Sequence, residues 1–245
     1  MAEDRIDKVL VARGLFPSRA AARASIEAGL VRVAGRQVSK PSEKVSMEAK
    51  IESEAVHPYV SRGGVKLAHA LDTTGMDVTG CVALDVGAST GGFTDVLLRR
   101  GATRVYAVDV GRDQLHPSLR DDLRVLSFEG FDARKLSASA LPEPVDLIVC
   151  DASFIALEKL LQVPLSFARS GARLVTLFKP QFQVGRAHIG KGGLVRDLQA
   201  VEAAEQDFCD WLAALGWHVS ERLDSPIPGG DGNHERLVIA TNSND

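Results

Sequence analysis

Long apolar runs are missing from this chain. No stretch approaches the ~18 uncharged apolar residues that a membrane-spanning helix needs, so a pore-forming or membrane-embedded role finds no support. The first 13 residues are charged and helix-patterned, and no secretory leader is read there. Cysteine is scarce, with only Cys81, Cys150 and Cys209, an odd and widely spaced set. That excludes a disulfide framework and is read as reduced thiols, two of them in apolar, strand-like runs. The six histidines form no HxxxH pair and no Cys/His cluster, so no metal site is expected. Aromatics are few and no Trp-rich amphipathic helix occurs, which counts against lytic activity at a membrane surface. Internal repeats and low-complexity tracts are also lacking.

What is present is an ordinary soluble composition, 45% hydrophobic and 25% charged over 245 residues, enough for one or two domains. The net charge of −3 conceals an asymmetry. Residues 1–44 hold nine Lys and Arg against five Asp and Glu, or +4, which leaves −7 on the remainder. A basic head on an acidic body points to a polyanionic partner for the head.

Asp4 to Asp7 opens a helical pattern (Ile6, Val9, Leu10) ended by Gly14, and Pro17-Ser18 starts a second, Arg19 to Ala28, closed by Gly29. Short β-like pieces follow at Val31–Val33, Gln37-Val38 and Val45 to Ile51, with a turn at Gly35. Arg5, Arg13, Arg19 and Arg23, with Arg32 and Lys40 just beyond, could follow a phosphate backbone or simply solvate helix faces.

A connector over roughly Glu52 to Tyr59 leads to Ser61-Arg62-Gly63-Gly64-Val65-Lys66. Beyond it strands and helices alternate: strands at Cys81–Val86, Val105–Val110, Arg124–Phe128, Val145–Cys150, Arg173–Phe178, Trp217–Arg222 and Leu237–Thr241, helices at Gly92–Arg100 and Leu198–Leu215. That alternation predicts an α/β, doubly wound, mainly parallel sheet. Between the first strand and its helix lies Asp85-Val86-Gly87-Ala88-Ser89-Thr90-Gly91-Gly92-Phe93. Glycines there let backbone approach a ligand at a helix N-terminus, and Asp109, which with Val110 ends the next strand, is suited to ribose hydroxyls. Asp151 and Lys179 each follow an apolar strand, so both face the crevice at the carboxyl ends of the sheet, as reactive groups or as a structural ion pair. Lys66 and Glu235 lie far off in sequence, and spacing alone cannot bring them together.

Two resemblances organise these observations. The head resembles the ribosomal protein S-four RNA-binding domain through Arg5-x-Asp7-x-x-Leu10-x-x-Arg13-Gly14-Leu15, Ser18-Arg19-x-x-Ala22, Ile26-x-x-Gly29-x-Val31-x-Val33-x-Gly35 and Lys40-Pro41-Ser42. The whole chain resembles the TlyA (hemolysin A) family of bacterial ribosomal RNA 2′-O-methyltransferases. The matching stretches include Ser61-Arg62-Gly63-Gly64-x-Lys66-Leu67, Asp85 to Asp95, Asp109-Val110-Gly111, Asp151-x-Ser153-Phe154-Ile155, Lys179-Pro180-Gln181-Phe182, Gly190-Lys191-Gly192-Gly193-x-Val195-Arg196-Asp197 and Gly232-Asn233-x-Glu235. Gln183 departs from the glutamate usual in that family.

The resemblance implies a class I, Rossmann-like S-adenosylmethionine-dependent methyltransferase sheet at 65–245, an RNA-binding domain at 1–55 and a linker at 56–64. It implies a cytoplasmic enzyme acting on cytidine in ribosomal RNA or a ribosomal subunit. Lys66, Asp151, Lys179 and Glu235 match the family's catalytic tetrad in order and context. The cofactor would be held by Asp85, Gly87 to Phe93, Asp109, Val110, Asp132 and Asp151, with Asp132 where such enzymes contact adenine. RNA contacts fall to Arg5, Arg13, Arg19, Arg23, Lys40 and Arg62, the last of which reads equally as part of a hinge.

A ribose hydroxyl is a poor nucleophile, and a base beside it would be Lys179, with Lys66 either orienting the hydroxyl or sharing that work. Carboxylates nearby favour the ammonium form of a lysine, while burial and the second lysine oppose it. His188 to Arg196, basic and glycine-rich, reads as a flap over the substrate or as a surface loop. Three rival functions remain: a base methyltransferase, for which Asp151-Ala152-Ser153-Phe154 lacks the Asn/Asp-Pro-Pro-Tyr type of sequence; a membrane-active hemolysin; and a non-catalytic RNA-binding factor.

Overall fold

The computed structural model describes residues 3–16, 18–53 and 56–244. Pro17, expected beside the second helix cap, and residues 54 and 55 of the expected connector lie outside them. The chain forms two compact units, Met1–Arg62 and Gly63–Asp245.

The first unit carries helices Ile6–Ala12 and Arg19–Glu27. Gly14, at φ +69°, turns the chain out of the first, and Ser18 Oγ accepts from Ala21 N at 3.2 Å to cap the second. Both helices press Ile6, Val9, Leu10, Ala22 and Ile26 onto Val31, Val38 and Val45. Two expectations need correcting. Glu3–Arg5, read as helical, is a strand paired antiparallel with Lys44–Ser46. The single β-like piece at 45–51 is two strands, because Ile51–Ser53 pairs instead with Val31–Val33, which also pairs with Arg36–Gln37.

The second unit holds α1 (Gly63–Thr74), β1 (Val82–Val86), α2 (Gly92–Arg99), β2 (Arg104–Asp109), α3 (Pro117–Arg120), β3 (Val125–Glu129), β4 (Val145–Cys150) and α4 (Leu157–Leu161). It continues with β5 (Ala168–Phe178), α5 (Pro180–Gln183), α6 (Leu198–Ala214), β6 (Trp217–Asp224) and β7 (Arg236–Asn242). The sheet order is β6-β7-β5-β4-β1-β2-β3. Only β7 runs antiparallel to its neighbours. Strand order reverses between β1 and β4, the topological switch point where open α/β sheets bind ligands beyond their carboxyl ends.

The parallel strands read as unbroken apolar runs because both faces are covered; Leu84, Tyr106, Ile148 and Leu174 are buried with Phe208 and Leu212 of α6. Cys81, expected to open β1, precedes that strand and is half-buried, whereas Cys150 and Cys209 are buried. Burial pushes the Cys150 thiol up to about 12, so it stays protonated. Among the described residues no helix is long and apolar enough to cross a membrane.

Candidate active site

The loop after β1 is tied down by backbone: Gly87 N and Ala88 N both donate to Val108 O, at 2.8 and 3.2 Å. Gly91 precedes α2 at φ +93°, and a Cβ there would sit 2.3 Å from Leu119 Cδ1. Glycine is therefore required by conformation and by packing. Ser89, which is not glycine, also adopts positive φ, +47°. Its amide donates to Asp109 Oδ2 at 2.8 Å and its hydroxyl to Gln114 Oε1 at 2.9 Å. Strain held in place by such bonds is characteristic of ligand-binding loops.

Loop, β2 end and β4 end enclose a cavity of about 590 Å³, the size of a small-molecule site. Gly87, Ser89, Asp109, Val110, Asp132 and Asp151 line it, together with Phe131, Ile155 and Leu160. Ala88, Thr90, Gly91, Gly92 and Phe93 are not among its lining residues. Nor is Asp85, which lies wholly buried beneath the loop and accepts from Thr94 N at 3.0 Å and Thr94 Oγ1 at 2.7 Å. Its carboxylate thus caps α2 from inside. Burial, reinforced by Asp151 and Asp109 and opposed by Thr94, raises the Asp85 carboxyl to about 7. Asp132 grips Arg134 through both oxygens, at 2.7 to 3.1 Å, so its edge of the cavity is a closed ion pair.

A second cavity, of about 560 Å³, is lined by Lys66, Asp151, Lys179 and Glu235 together. The four arrive from α1, the end of β4, the end of β5 and the start of β7. They form two ion pairs, the first buried at both ends and the second with its carboxylate partly exposed. Lys66 pairs with Glu235, and Lys179 Nζ lies 2.6 Å from Asp151 Oδ1, 3.0 Å from Ser153 Oγ and 3.3 Å from Asp151 O. Both cavities share Asp151, Ser153 and Phe154, and so adjoin. Phe154 is 89% exposed at φ +69° and packs against Phe182 with ring centroids 5.1 Å apart.

The chain was compared with known proteins. Residues 59–242 match the FtsJ-like methyltransferase family and residues 4–51 the S4 domain. A 16S/23S rRNA (cytidine-2′-O)-methyltransferase TlyA of Mycobacterium tuberculosis is 43% identical over 96% of this chain and 88% of its own length. Hemolysin A of Brachyspira hyodysenteriae is 38% identical over 96% and 98%. The solved structure of a hemolysin-named protein from Streptococcus thermophilus superposes with a TM-score of 0.79 at 36% identity, covering 100% of this chain and 90% of that one. This chain belongs to the TlyA family of FtsJ-like methyltransferases.

The cofactor of such an enzyme is S-adenosylmethionine. The cavity beside the glycine loop fits it in size, in apolar lining and in the Asp109 carboxylate at the end of β2. In this TlyA-family chain the segment 186–197 is stitched to the site. Buried Asn233 accepts from Val195 N at 2.9 Å and donates to Gly193 O at 3.0 Å, while His188 Nδ1 lies 2.8 Å from Asp197 Oδ2. Ile189 and Gly193 of that segment line the tetrad cavity. Gln183 accepts from Leu157 N at 3.2 Å, fixing the start of α4.

Sequence reasoning overlooked a further cluster, Asp7 of the first unit. Its carboxylate is inaccessible to solvent and receives Arg5, Arg19 and Arg23 at 2.8 to 3.3 Å. Arg5 foremost, with the other two, holds the carboxyl well below its ordinary range. The i,i+4 spacing of Arg19 and Arg23 after an isolated Asp was the available signal. Arg13 donates to Ala49 O at 2.6 Å, while Lys40 and Arg62 are exposed.

Proposed function

We propose that this enzyme transfers the methyl group of S-adenosylmethionine to the 2′-hydroxyl of a cytidine in ribosomal RNA. The observation that carries the reading is the meeting of two cavities at Asp151, Ser153 and Phe154, one beside the glycine loop and one holding two lysine–carboxylate pairs. When bound, the cofactor supplies an electrophilic methyl on sulfur. The chain supplies everything else. Asp109 and the closely approaching loop backbone hold the nucleoside end, Lys66 and Glu235 orient the ribose, and Lys179, kept in place by Asp151, takes the hydroxyl proton. Choice of cytidine and of ribosomal RNA follows from the names of the relatives at 43% identity. Such a substrate places the enzyme in the cytoplasm.

In this reading the first unit grips RNA. Three arginines about one carboxylate leave a net charge of +2, and their side chains remain 35 to 49% exposed. They are held at fixed spacing, which reduces the entropy lost on meeting phosphates. Arg13, Lys40 and Arg62 extend the same role. Lys179→Ala tests the catalytic part: methyl transfer should vanish while RNA affinity stays nearly unchanged. In wild-type product, alkali should fail to cleave at the modified nucleotide, since a 2′-O-methyl blocks hydrolysis and a base methyl does not. Retained turnover in the variant, or alkali-labile product, removes the proposal.

A further inference from the structure

Lys179 is 7% exposed, yet Ser153, whose Oγ touches its Nζ, is open to both cavities. Lys179 Nζ donates to Ser153 Oγ and to Asp151 O, and lies 2.6 Å from Asp151 Oδ1 as an ion pair. To accept a proton it must first be an amine, with two donors and one lone pair. A carboxylate oxygen and a carbonyl oxygen only accept, so neither tolerates that lone pair. Ser153 alone of the three can reverse its bond, accepting from the ammonium and donating to the amine, with no heavy atom moved.

We infer that Ser153 is a catalytic residue that relays the ribose proton to Lys179, an inference resting on the 2′-O-methyltransferase reading above. As the O2′–CH3 bond forms and the S–CH3 bond breaks, its electron pair remaining on sulfur, the O2′ proton passes to Ser153 Oγ. The Ser153 hydroxyl proton passes at the same time to the Lys179 lone pair. The products are a neutral ether, a neutral thioether and the Lys179 ammonium, with Ser153 restored. The ammonium then returns its proton to water by the same hydroxyl.

The test uses the full chain with ribosomal RNA, comparing wild type, Ser153→Ala and Ser153→Thr. Ser153→Ala should lower kcat about 10²-fold, the scale of one proton-transfer group, with KM for RNA and Kd for S-adenosylmethionine unchanged. Ser153→Thr, which keeps the hydroxyl, should recover to within about tenfold of wild type. Rates in mixtures of light and heavy water should bow for wild type, because two protons move together, and become linear in Ser153→Ala. In cofactor-free protein, 15N-edited NMR should show the Lys179 ammonium protons exchanging with water more slowly in Ser153→Ala than in wild type. Linear behaviour in an active wild type, or Ser153→Ala turning over like wild type, overturns the relay while leaving the 2′-O-methyltransferase reading intact. A wild type that methylates no ribose hydroxyl overturns both.

Discussion

The Lys66–Glu235 pair offers the most direct trial of the site's electrostatics. Both side chains are nearly out of water, 9% and 3% exposed, and each has the other as its one ion-pair partner among the described residues. Changing Glu235 to Gln strands an ammonium in a closed site; changing Lys66 to Met strands a carboxylate. Losing one partner of a buried pair costs about 3–5 kcal/mol, and the stranded group can soften this by shedding its charge, so about 3 kcal/mol is expected for each single change. Removing both charges strands neither. The double variant should therefore lose no more than a single one, giving a coupling of about 3 kcal/mol.

Trp211 and Trp217 are the only tryptophans, and both lie in the Gly63–Asp245 unit, so their fluorescence during urea unfolding reports that unit alone. With slopes of about 1–3 kcal/mol/M, each single change should move the midpoint by roughly 1–3 M, and the double variant by no more. Activity should behave differently. All three variants should be inactive, because stability returns with neutrality but orientation of the ribose does not. Additive losses in the double variant would refute the buried-pair argument, and an active double variant would separate the pair from catalysis.

Asp85 gives a pH signature of opposite sign to most carboxylates. Its folded value is raised to about 7, so the unfolded chain releases the proton first, and stability falls as pH rises above about 4 until it levels beyond 7. Three units correspond to about 4 kcal/mol as an upper scale, and Asp85→Asn should flatten urea midpoints measured across that window. Gly91→Ala forces a positive φ and a 2.3 Å clash with Leu119, and should cost about 2–4 kcal/mol and weaken S-adenosylmethionine binding in calorimetric titration. Asp7 is depressed, so its contribution is complete above about pH 4 and disappears as pH falls through the lower folded value. Asp7→Asn should lower the stability of the first unit by about 1–3 kcal/mol at neutral pH, followed by urea unfolding monitored by NMR, and should weaken RNA binding.

The sheet was legible because parallel strands covered on both faces must be apolar throughout. Val145–Cys150 stands where its composition puts it, and the other strands differ by a few residues at their ends. The first unit was harder, since its strands are two or three residues long and pair with distant segments. No local pattern states that Val45 belongs with Asp4 while Ile51 belongs with Val33. Asp109, Asp151 and Lys179 were visible by position, because a charge ending an apolar strand must face the crevice. The Lys66 helix escaped notice, and while an Asp151–Lys179 ion pair was one of two readings, the Lys66–Glu235 pair could not be read from spacing.

Lys66 and Glu235 show why chemistry of this kind is only partly local. They are 169 residues apart and meet because α1 and the β7 entry converge on one cavity, which topology decides and periodicity does not. Once they meet, two lysines and two carboxylates form two neutral pairs. Charge balance lets four ionic groups sit in a largely buried pocket at modest cost, whereas four unpaired ones would empty it or fill it with water. A substrate hydroxyl entering there finds fixed donors and acceptors instead of solvent, and orientation is supplied before the reaction begins. If that balance is the purpose of the pairing, inverting a pair by exchanging its lysine and glutamate should preserve stability better than removing either member, and should still abolish methyl transfer. A swapped variant as unstable as the single ones would show that geometry, not neutrality, holds the pocket together.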